Sequence, residues 1–220
     1  KYLYENKEKY KSKKIIFYEI GANVGYSSLL ISKILKDIGK VYSFEIETAN
    51  FKTLSDNIIL NRLNNIIPLN IGISSKNSIS KFYYNKKFLK KNSGLPFSSM
   101  GSHSITFDKN VHDENIFSLS TFMKYEDIIK IFSLEKPTHL YIDAFGAELL
   151  IIESIKMSGK DYFPDVVMID IEEGEKEMNN SSIYKLLISM GYELKSFDVV
   201  NRPGWYVPLT HHSIFEKKTG

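Results

Sequence analysis

The stretch EIGANVGY, residues 19–26, lies between a short apolar run and a segment with helical spacing. The preceding run IIFYEIG, residues 15–21, is typical of a buried parallel strand. Gly21 permits a tight turn with positive φ at the end of that strand, and Gly25 permits the next helix to pack closely on it. In an open α/β sheet, ligands bind at such a place, beyond the carboxyl ends of the strands.

Strands and helices alternate on both sides of this turn. The pattern predicts helices over residues 26–37 and 48–61 and strands over residues 40–46 and 65–74. Thr48 is predicted to cap the second helix. ISKFYY, residues 79–84, is predicted to extend the sheet.

The second half of the chain continues the alternation after an irregular stretch. The predicted elements are helices over residues 123–132, 148–157 and 181–190, strands over 138–146 and 165–173, and a terminal antiparallel pair over 192–200 and 211–218. Residues 85–115 are rich in Lys, Ser, Gly and Asn, and we expect a mobile excursion on the substrate side. Residues 1–14 are expected to form an N-terminal arm.

This order of elements predicts one α/β domain over residues 1–220. Its fold is a Rossmann-like, doubly wound, mostly parallel sheet with a terminal antiparallel strand pair and helices on both faces. A chain of 220 residues that is 43% hydrophobic can bury one sizeable core.

Composition narrows the classes of function. The chain has no cysteine, which excludes disulfides, thiolate metal sites and a cysteine nucleophile. No apolar run approaches the roughly 20 residues of a membrane span, and no secretory leader opens the sequence, so we expect a cytoplasmic protein. Since the first residue is Lys1, we expect that the chain begins within a longer protein.

The positive charge does not by itself indicate a nucleic-acid partner. The formal net charge is +3, but only Arg62 and Arg202 are arginines among 29 basic residues. Arginine is favoured where phosphates or base edges are bound bidentately. A nucleic-acid partner is therefore not favoured, and we expect a small-molecule or glycan substrate.

The glycine spacing favours a nucleoside with an amino-acid tail. The turn reads G-x-x-x-G, whereas dinucleotide folds use G-x-G-x-x-G against a pyrophosphate. Glu19 could hold an ammonium group indirectly, while turn amides and Asn23 receive a carboxylate. Glu45 closes the second strand, where an acid binds a ribose diol in this fold. The alternatives are a packing turn without a ligand and, less favoured by the spacing, an NAD-linked oxidoreductase.

Four segments resemble the FkbM-type methyltransferases, a class I family of O-methyltransferases that use S-adenosylmethionine. They are YEIGANVGYSSLLISK, VYSFEIETANFKTLSDNIILNRLNNI, LNIGISSKNSISKFY and LYIDAFGAELLIIESI, in chain order. Glu19 stands where the family has Asp, Tyr141 replaces a lysine, and Phe145 and Thr121 replace acids. These departures leave open a second hypothesis, in which the protein binds the nucleoside but does not catalyse methyl transfer.

The resemblance implies S-adenosylmethionine as cofactor, with Glu45 on the ribose and the third-strand segment near the adenine. The predicted cofactor-binding residues are Glu19, Gly21, Ala22, Asn23, Gly25, Tyr26, Ser27, Glu45, Ile46, Gly72 and Asp143. The implied reaction is O-methylation of a hydroxyl on a sugar, glycan or polyketide-like molecule. An RNA acceptor remains an alternative.

Three side chains are predicted as catalytic candidates. Asp143, at the end of the fourth strand, is the first candidate for general base or acceptor anchor, although it could simply cap the next helix. Glu172 follows the fifth strand, and His211 stands beside His212 near the last strand; both could equally be surface residues. Asp143 and Asp170 end neighbouring strands as metal-binding acids do, but no further amide ligand follows, so a metal is not expected.

Overall fold

Two sheets and six helices organise the part of the chain that the structure, a computed structural model, describes: residues 2–5, 14–85, 112–144, 146–171, 181–201 and 209–218. The helices are α1 (Tyr2–Glu5), α2 (Tyr26–Leu35), α3 (Thr48–Leu60), α4 (Tyr125–Ile131), α5 (Glu148–Ser158) and α6 (Ser182–Ser189). The strands are β1 (Ile15–Ile20), β2 (Gly39–Phe44), β3 (Ile66–Leu69), β4 (Gly72–Ile73), β5 (Ser78–Asn85), β6 (His112–Met123), β7 (His139–Ile142), β8 (Val166–Ile171), β9 (Tyr192–Asn201) and β10 (Leu209–Lys217).

The main sheet has the strand order β3-β2-β1-β7-β8-β10-β9. Its first five strands are parallel to their neighbours, and β10 runs antiparallel to both β8 and β9. The chain builds outward from β1 to β3 and then returns to β7 on the other side of β1. The prediction of a mostly parallel sheet with a terminal antiparallel pair is therefore confirmed, and β1 and β7 flank the point where the strand order reverses, at which such sheets bind ligands.

Helices cover both faces of the main sheet, as predicted. Side chains alternate along β1, so Phe17 points to one face and Tyr18 to the other. Residues of α1, α2 and α3 pack with Phe17 and Val41, whereas residues of α4, α5 and α6 pack with Tyr18 and Phe44. Two apolar layers thus fix the sheet and leave the carboxyl ends of its strands for a site.

The prediction of one long third strand over residues 65–74 is wrong. This segment divides into β3, in the main sheet, and β4, in a second sheet of order β4-β6-β5. The side-chain amide of Asn70 donates to the carbonyl oxygens of Glu45, at 2.7 Å, and Ile46, at 3.1 Å. These bonds hold the chain where β3 ends, and it leaves the main sheet there. Residues 79–84 accordingly lie in β5 of the second sheet and do not extend the first.

Two helix starts also differ from prediction. The cap of α3 is Glu47, whose carboxylate accepts the Asn50 N–H at 2.7 Å, and Thr48 is already helical. A carboxylate near a helix N-terminus gains from both the hydrogen bond and the dipole, which explains its use in place of a hydroxyl. The helix predicted from residue 123 begins at Tyr125, because Met123 still pairs with Ile73 of β4.

Two predicted segments lie largely outside the described residues. Residues 86–111 of the predicted excursion are not described, while Asn85 and residues 112–115 belong to strands. The predicted N-terminal arm is described only as α1 and Lys14. The division into one domain stays a prediction. In the described ranges, no helix is long and apolar enough to cross a membrane.

Candidate functional site

The turn after β1 is closed against the ends of β2 and β7. The backbone amides of Gly21 and Ala22 both donate to the carbonyl oxygen of Phe44, at 2.9 and 3.0 Å. Gly21 has φ +88°, and a Cβ there would lie 2.0 Å from the carbonyl oxygen of Asp143. Glycine is therefore required at position 21 both by its backbone angle and by the approach of a neighbouring backbone.

Gly25 brings helix α2 close to its neighbours. It has φ +89°, and its amide donates to the carbonyl oxygen of Ala22 at 2.9 Å. A Cβ at this position would lie 2.4 Å from Cδ1 of Leu54 in α3. The second glycine thus serves packing between helices, while the first serves the approach of β7.

The carboxylate of Glu45 faces the same turn. Its Oε2 accepts the Asn23 N–H at 2.7 Å, and its Oε1 accepts the Glu47 N–H at 2.7 Å. The residue is only 6% exposed. The predicted ribose-binding acid and the glycine turn therefore meet at one place, beyond the carboxyl ends of β1 and β2.

The turn amides are used differently from our interpretation of the sequence. We expected them to receive a ligand carboxylate, but the amides of Gly21, Ala22, Asn23 and Gly25 donate to Phe44, Glu45 and Ala22 of the chain itself. This difference arises because hydrogen bonds hold the turn against the end of β2. The spacing of residues in the sequence does not reveal these bonds. The side chain of Asn23 then becomes the polar group of the turn best suited to a ligand.

Two buried amide oxygens beside Glu45 lack a donor. Within the described part of the chain, Oδ1 of Asn23 and Oδ1 of Asn50 are buried and have no hydrogen-bond partner. Buried polar atoms are nearly always satisfied, by protein, water or ligand, because an unmade hydrogen bond costs about 1–3 kcal/mol. Both atoms lie on residues that bond to Glu45 or to its neighbour Glu47. They indicate a place where a donor from a ligand fits.

Glu19 is a buried acid behind the turn. The hydroxyls of Ser27 and Ser28 donate to its two carboxylate oxygens. The Ser28 hydroxyl also lies 2.8 Å from that of Ser43 on β2. Glu19 is 1% exposed, and the expected indirect action of its charge on a ligand ammonium group stays a prediction.

Burial weakens both Glu19 and Glu45 as acids. It raises the pKa of Glu19 to about 7, against the hydrogen bonds from Ser27 and Ser28 that lower it, and the charges of Asp143 and Glu45 raise it further. Burial likewise raises the pKa of Glu45 to about 7, and the backbone hydrogen bonds from Glu47 and Asn23 lower it. The carboxylates of Glu45 and Asp143, at the ends of β2 and β7, thus repel that of Glu19, and a cation bound near them would relieve that repulsion.

The remaining predicted cofactor residues surround this turn. A Cβ at Gly72 would lie 2.5 Å from Cδ1 of Ile46, so β4 passes directly beside the end of β2. Tyr26, at the start of α2, is 83% exposed. The hydroxyl of Ser27 donates a hydrogen bond to Glu19. Whether these residues touch a cofactor stays a prediction.

A second polar group extends from Asp143 across the sheet. The Tyr141 hydroxyl lies 3.5 Å from Oδ2 of Asp143 and 3.4 Å from Oδ2 of Asp170, within long hydrogen-bonding distance of both. Oδ1 of Asp170 in turn contacts Nδ1 of His212. In the sequence, Tyr141 stands out only as a departure from a family pattern. Its position two residues before Asp143, on the same side of a strand, is the signal that could have placed it in the site.

The roles of the other two catalytic candidates, Glu172 and His211, stay predictions. Glu172 lies outside the described residues, as does Phe145, one of the departures from the family pattern. His211 lies in β10, but its side chain is outside the description, and its neighbour His212 is the histidine that contacts Asp170. In the described ranges, no group of three or more His, Asp or Glu side chains is arranged to hold a metal ion.

Comparison with known proteins identifies the fold but no sequence family. No protein-family model matches the chain, and no curated protein matches it in sequence. Among solved structures, precorrin-6y C5,15-methyltransferase from Geobacter metallireducens GS-15 is similar with a TM-score of 0.51 and 12% identity, over 96% of this chain and 84% of that one. Fibrillarin from Aeropyrum pernix, in complex with natively bound S-adenosyl-L-methionine, gives 0.51 and 13% over 92% and 66%.

A third similar structure is methyltransferase FkbM from Methylobacillus flagellatus KT, with a TM-score of 0.50 and 13% identity over 91% of this chain. The chain spans 43% of the length of that protein and 66% of the fibrillarin. The chain has the class I methyltransferase fold. The identities are too low for the comparison to assign an activity.

Proposed function

We propose that this chain binds S-adenosylmethionine beside the Gly21 turn and Glu45, beyond the carboxyl ends of β1 and β2, and transfers its methyl group to an acceptor. The observation that carries the proposal is the 2.7 Å hydrogen bond from the Asn23 amide to the Glu45 carboxylate. It joins the glycine turn and the strand-end acid at one edge of the sheet in a class I methyltransferase fold. The ordered resemblance to FkbM-type methyltransferases points to the same cofactor.

Glu45 retains capacity for a ribose diol. An ionised carboxylate offers about four lone-pair sites, and two of those on Glu45 are used by the amides of Asn23 and Glu47. The amide bonds fix the orientation of the carboxylate, and the remaining sites can accept hydroxyl donors. The unpartnered Oδ1 of Asn50 lies on a residue whose backbone amide donates to Glu47, the residue whose own amide donates to Glu45.

The methionine end of the cofactor suits the acids near β1. Its ammonium and sulfonium groups are cations, and the charges of Asp143 and Glu45 both act on Glu19 at this edge. The ammonium group is also a donor of the kind that the buried Oδ1 of Asn23 lacks. Charge and hydrogen bonding therefore favour the same ligand.

The transfer itself requires alignment more than activation, because the sulfonium already supplies the electrophile. We infer O-methylation of a sugar, glycan or polyketide-like hydroxyl, with Asp143 as the anchor beside the methyl group. Glu172 and His211 stay candidates for proton removal. A binding protein without turnover is the second candidate, because Phe145 and Thr121 stand where the resembled family has acids.

Calorimetric titration with S-adenosylhomocysteine tests the cofactor assignment. We expect Glu45→Ala to weaken binding roughly tenfold to a hundredfold, because hydrogen bonds to a charged group contribute about 1.5–3 kcal/mol. Glu193→Ala is the matched control, since Glu193 is a surface acid paired with Lys195 on β9. Equal affinities in the two variants, or no binding to the wild type, would refute the site.

The pH dependence of binding offers a further prediction. Between pH 6 and pH 8 the buried acids with a pKa of about 7 become ionised. A cationic ligand gains more from that change than a neutral one, so we expect affinity for S-adenosylmethionine to rise more steeply than affinity for S-adenosylhomocysteine. Titrations of both ligands at pH 6, 7 and 8 measure this. Parallel slopes would contradict a sulfonium bound near these acids.

Tritiated methyl transfer to a panel of glycans, polyketide-like alcohols and tRNA separates the functions. Label in the first two classes supports the proposal, and label in tRNA identifies an RNA acceptor instead. Salt-dependent retention of RNA would support the latter outcome. Tight cofactor binding with no label in any class favours the binding protein.

A further inference from the structure

The side chains of Asp143, Tyr141, Asp170 and His212 follow one another across the sheet, and we call them the polar row. At its far end, His212 lies beside two aspartates. His212 of β10 lies directly opposite Asp170 of β8 and opposite Asp198 of β9. Residues directly opposite in an antiparallel pair share one face of the sheet. The imidazole of His212 is therefore flanked on the same face by an acid on each side.

The two aspartates differ in their contact with the ring. The Asp170 side chain is 5% exposed and its Oδ1 contacts Nδ1 of His212, whose side chain is 37% exposed. Asp198 is exposed. A buried carboxylate against Nδ1 holds the ring in one orientation and favours the tautomer that carries its proton on Nδ1. That tautomer makes Nε2 the basic nitrogen.

The polar row also connects His212 and Asp170 to Asp143, beside which we propose that the methyl group lies. Ile142 of β7 pairs with Ile169 of β8, so Asp143 and Asp170 are neighbours one residue beyond. The Tyr141 hydroxyl lies within 3.5 Å of both carboxylates. Adjacent strands are about 4.8 Å apart, so roughly 10 Å separates the backbone at Asp143 from that at His212, with Asp170 on the strand between them.

Resting on the proposed function, we propose that His212 is the general base for the acceptor hydroxyl and that Asp170 is its positioning residue. The acceptor O–H bond breaks and its proton goes to Nε2 of His212. The oxygen lone pair forms the new bond to the methyl carbon as the carbon–sulfur bond breaks. That electron pair stays on sulfur and gives neutral S-adenosylhomocysteine. The partly exposed imidazolium then releases its proton to water.

Charged groups on both neighbouring strands face His212. Asp170 lies opposite it on β8 and Asp198 opposite it on β9, and Tyr141 reaches it through Asp170. Glu216, later on the same strand, accepts a hydrogen bond from Tyr2 of α1.

The first test is the tautomer of His212, measured by nitrogen-15 NMR on the full chain saturated with S-adenosylhomocysteine. The signals of His212 are assigned by their loss in His212→Gln. We expect an unprotonated Nε2 at pH 8 in the wild type and a shift toward the Nε2–H tautomer in Asp170→Asn. A protonated Nε2 in the wild type at pH 8 would overturn the proposal without touching the cofactor site.

The second test is kinetic, with whichever panel member accepts label. General-base catalysis contributes typically 10²–10⁴-fold, so we expect His212→Gln to lower kcat at least a hundredfold and to remove the acid limb of the pH–rate profile. Asp170→Asn should lower kcat with little change in KM, and the exposed Ser196→Ala on β9 should change neither. Cofactor affinity should be unchanged in all three.

The failures are distinguishable. Normal kcat in His212→Gln with intact transfer overturns the base assignment alone. Loss of cofactor binding in that variant overturns it too, because His212 would then act on the cofactor. If the wild type binds no cofactor, the proposed function fails together with this inference.

Discussion

Gly21→Val is expected to abolish the native fold, and Gly21→Ala is expected to destabilise it by roughly 2–5 kcal/mol. Two costs add. A side chain at positive φ costs roughly 1–2 kcal/mol, and the Cβ would lie 2.0 Å from the carbonyl oxygen of Asp143 and 2.8 Å from its carbonyl carbon. Backbone atoms cannot rotate away as a side chain can, so β1 and β7 must separate, at a further cost of about 1–3 kcal/mol.

Gly191→Ala is the matched control for this prediction. Gly191 has φ +93°, close to the +88° of Gly21, but a Cβ there meets no atom within 4 Å. It therefore carries only the backbone cost of roughly 1–2 kcal/mol. Urea denaturation of the two alanine variants measures the difference. Equal losses would show that β7 does not approach the turn as the structure places it.

Glu19→Gln is expected to stabilise the protein at pH 8. Burial raises the pKa of Glu19 to about 7 from an ordinary 4.5, so the folded state binds a proton more tightly than the unfolded chain. The free energy of unfolding contributed by this group is then greatest below pH 4.5 and falls as pH rises toward 7. A shift of this size corresponds to roughly 3 kcal/mol.

The neutral amide of Gln imitates the protonated acid and does not ionise. The difference in unfolding free energy between variant and wild type should therefore grow by roughly 2–3 kcal/mol from pH 5 to pH 8, in favour of the variant. Urea denaturation at both pH values measures it. Hydroxyls such as those of Ser27 and Ser28 can rotate to accept as well as donate, so they can adapt to an amide.

Glu135→Gln serves as the control for the pH effect. Hydrogen bonds from Lys14 and Lys40 lower the pKa of Glu135, so its contribution changes only in more acid solution. The difference between this variant and the wild type should stay constant from pH 5 to pH 8. A constant difference for Glu19→Gln as well would mean that Glu19 is not buried as an acid behind the turn.

Local sequence patterns were enough to predict the backbone elements that surround the site. A glycine at a strand end, helical spacing after it and an acid at the end of the next strand predicted the turn at Gly21 and the place of Glu45. These features follow from backbone angles and side-chain periodicity, which act over a few residues. The parallel sheet and the helices on both faces followed from the alternation of elements.

Other features depended on contacts that the local pattern does not contain. The third strand ends early because Asn70 bonds to backbone at the end of β2, and the turn amides are used by Phe44 and Glu45. Both contacts join segments more than twenty residues apart. Sequence spacing predicted that these segments meet at one edge, but not which atoms bond.

The doubly wound fold, the glycine turn and the acid beside it could be predicted from the amino-acid sequence, because each rests on short-range backbone and burial preferences. The position of Tyr141 between two aspartates and the contact of His212 with Asp170, 42 residues away in the chain, became apparent only from the packing of the strands. That pairing requires the order of β7, β8 and β10 and their register. A shift of one residue in β10 would turn His212 to the opposite face.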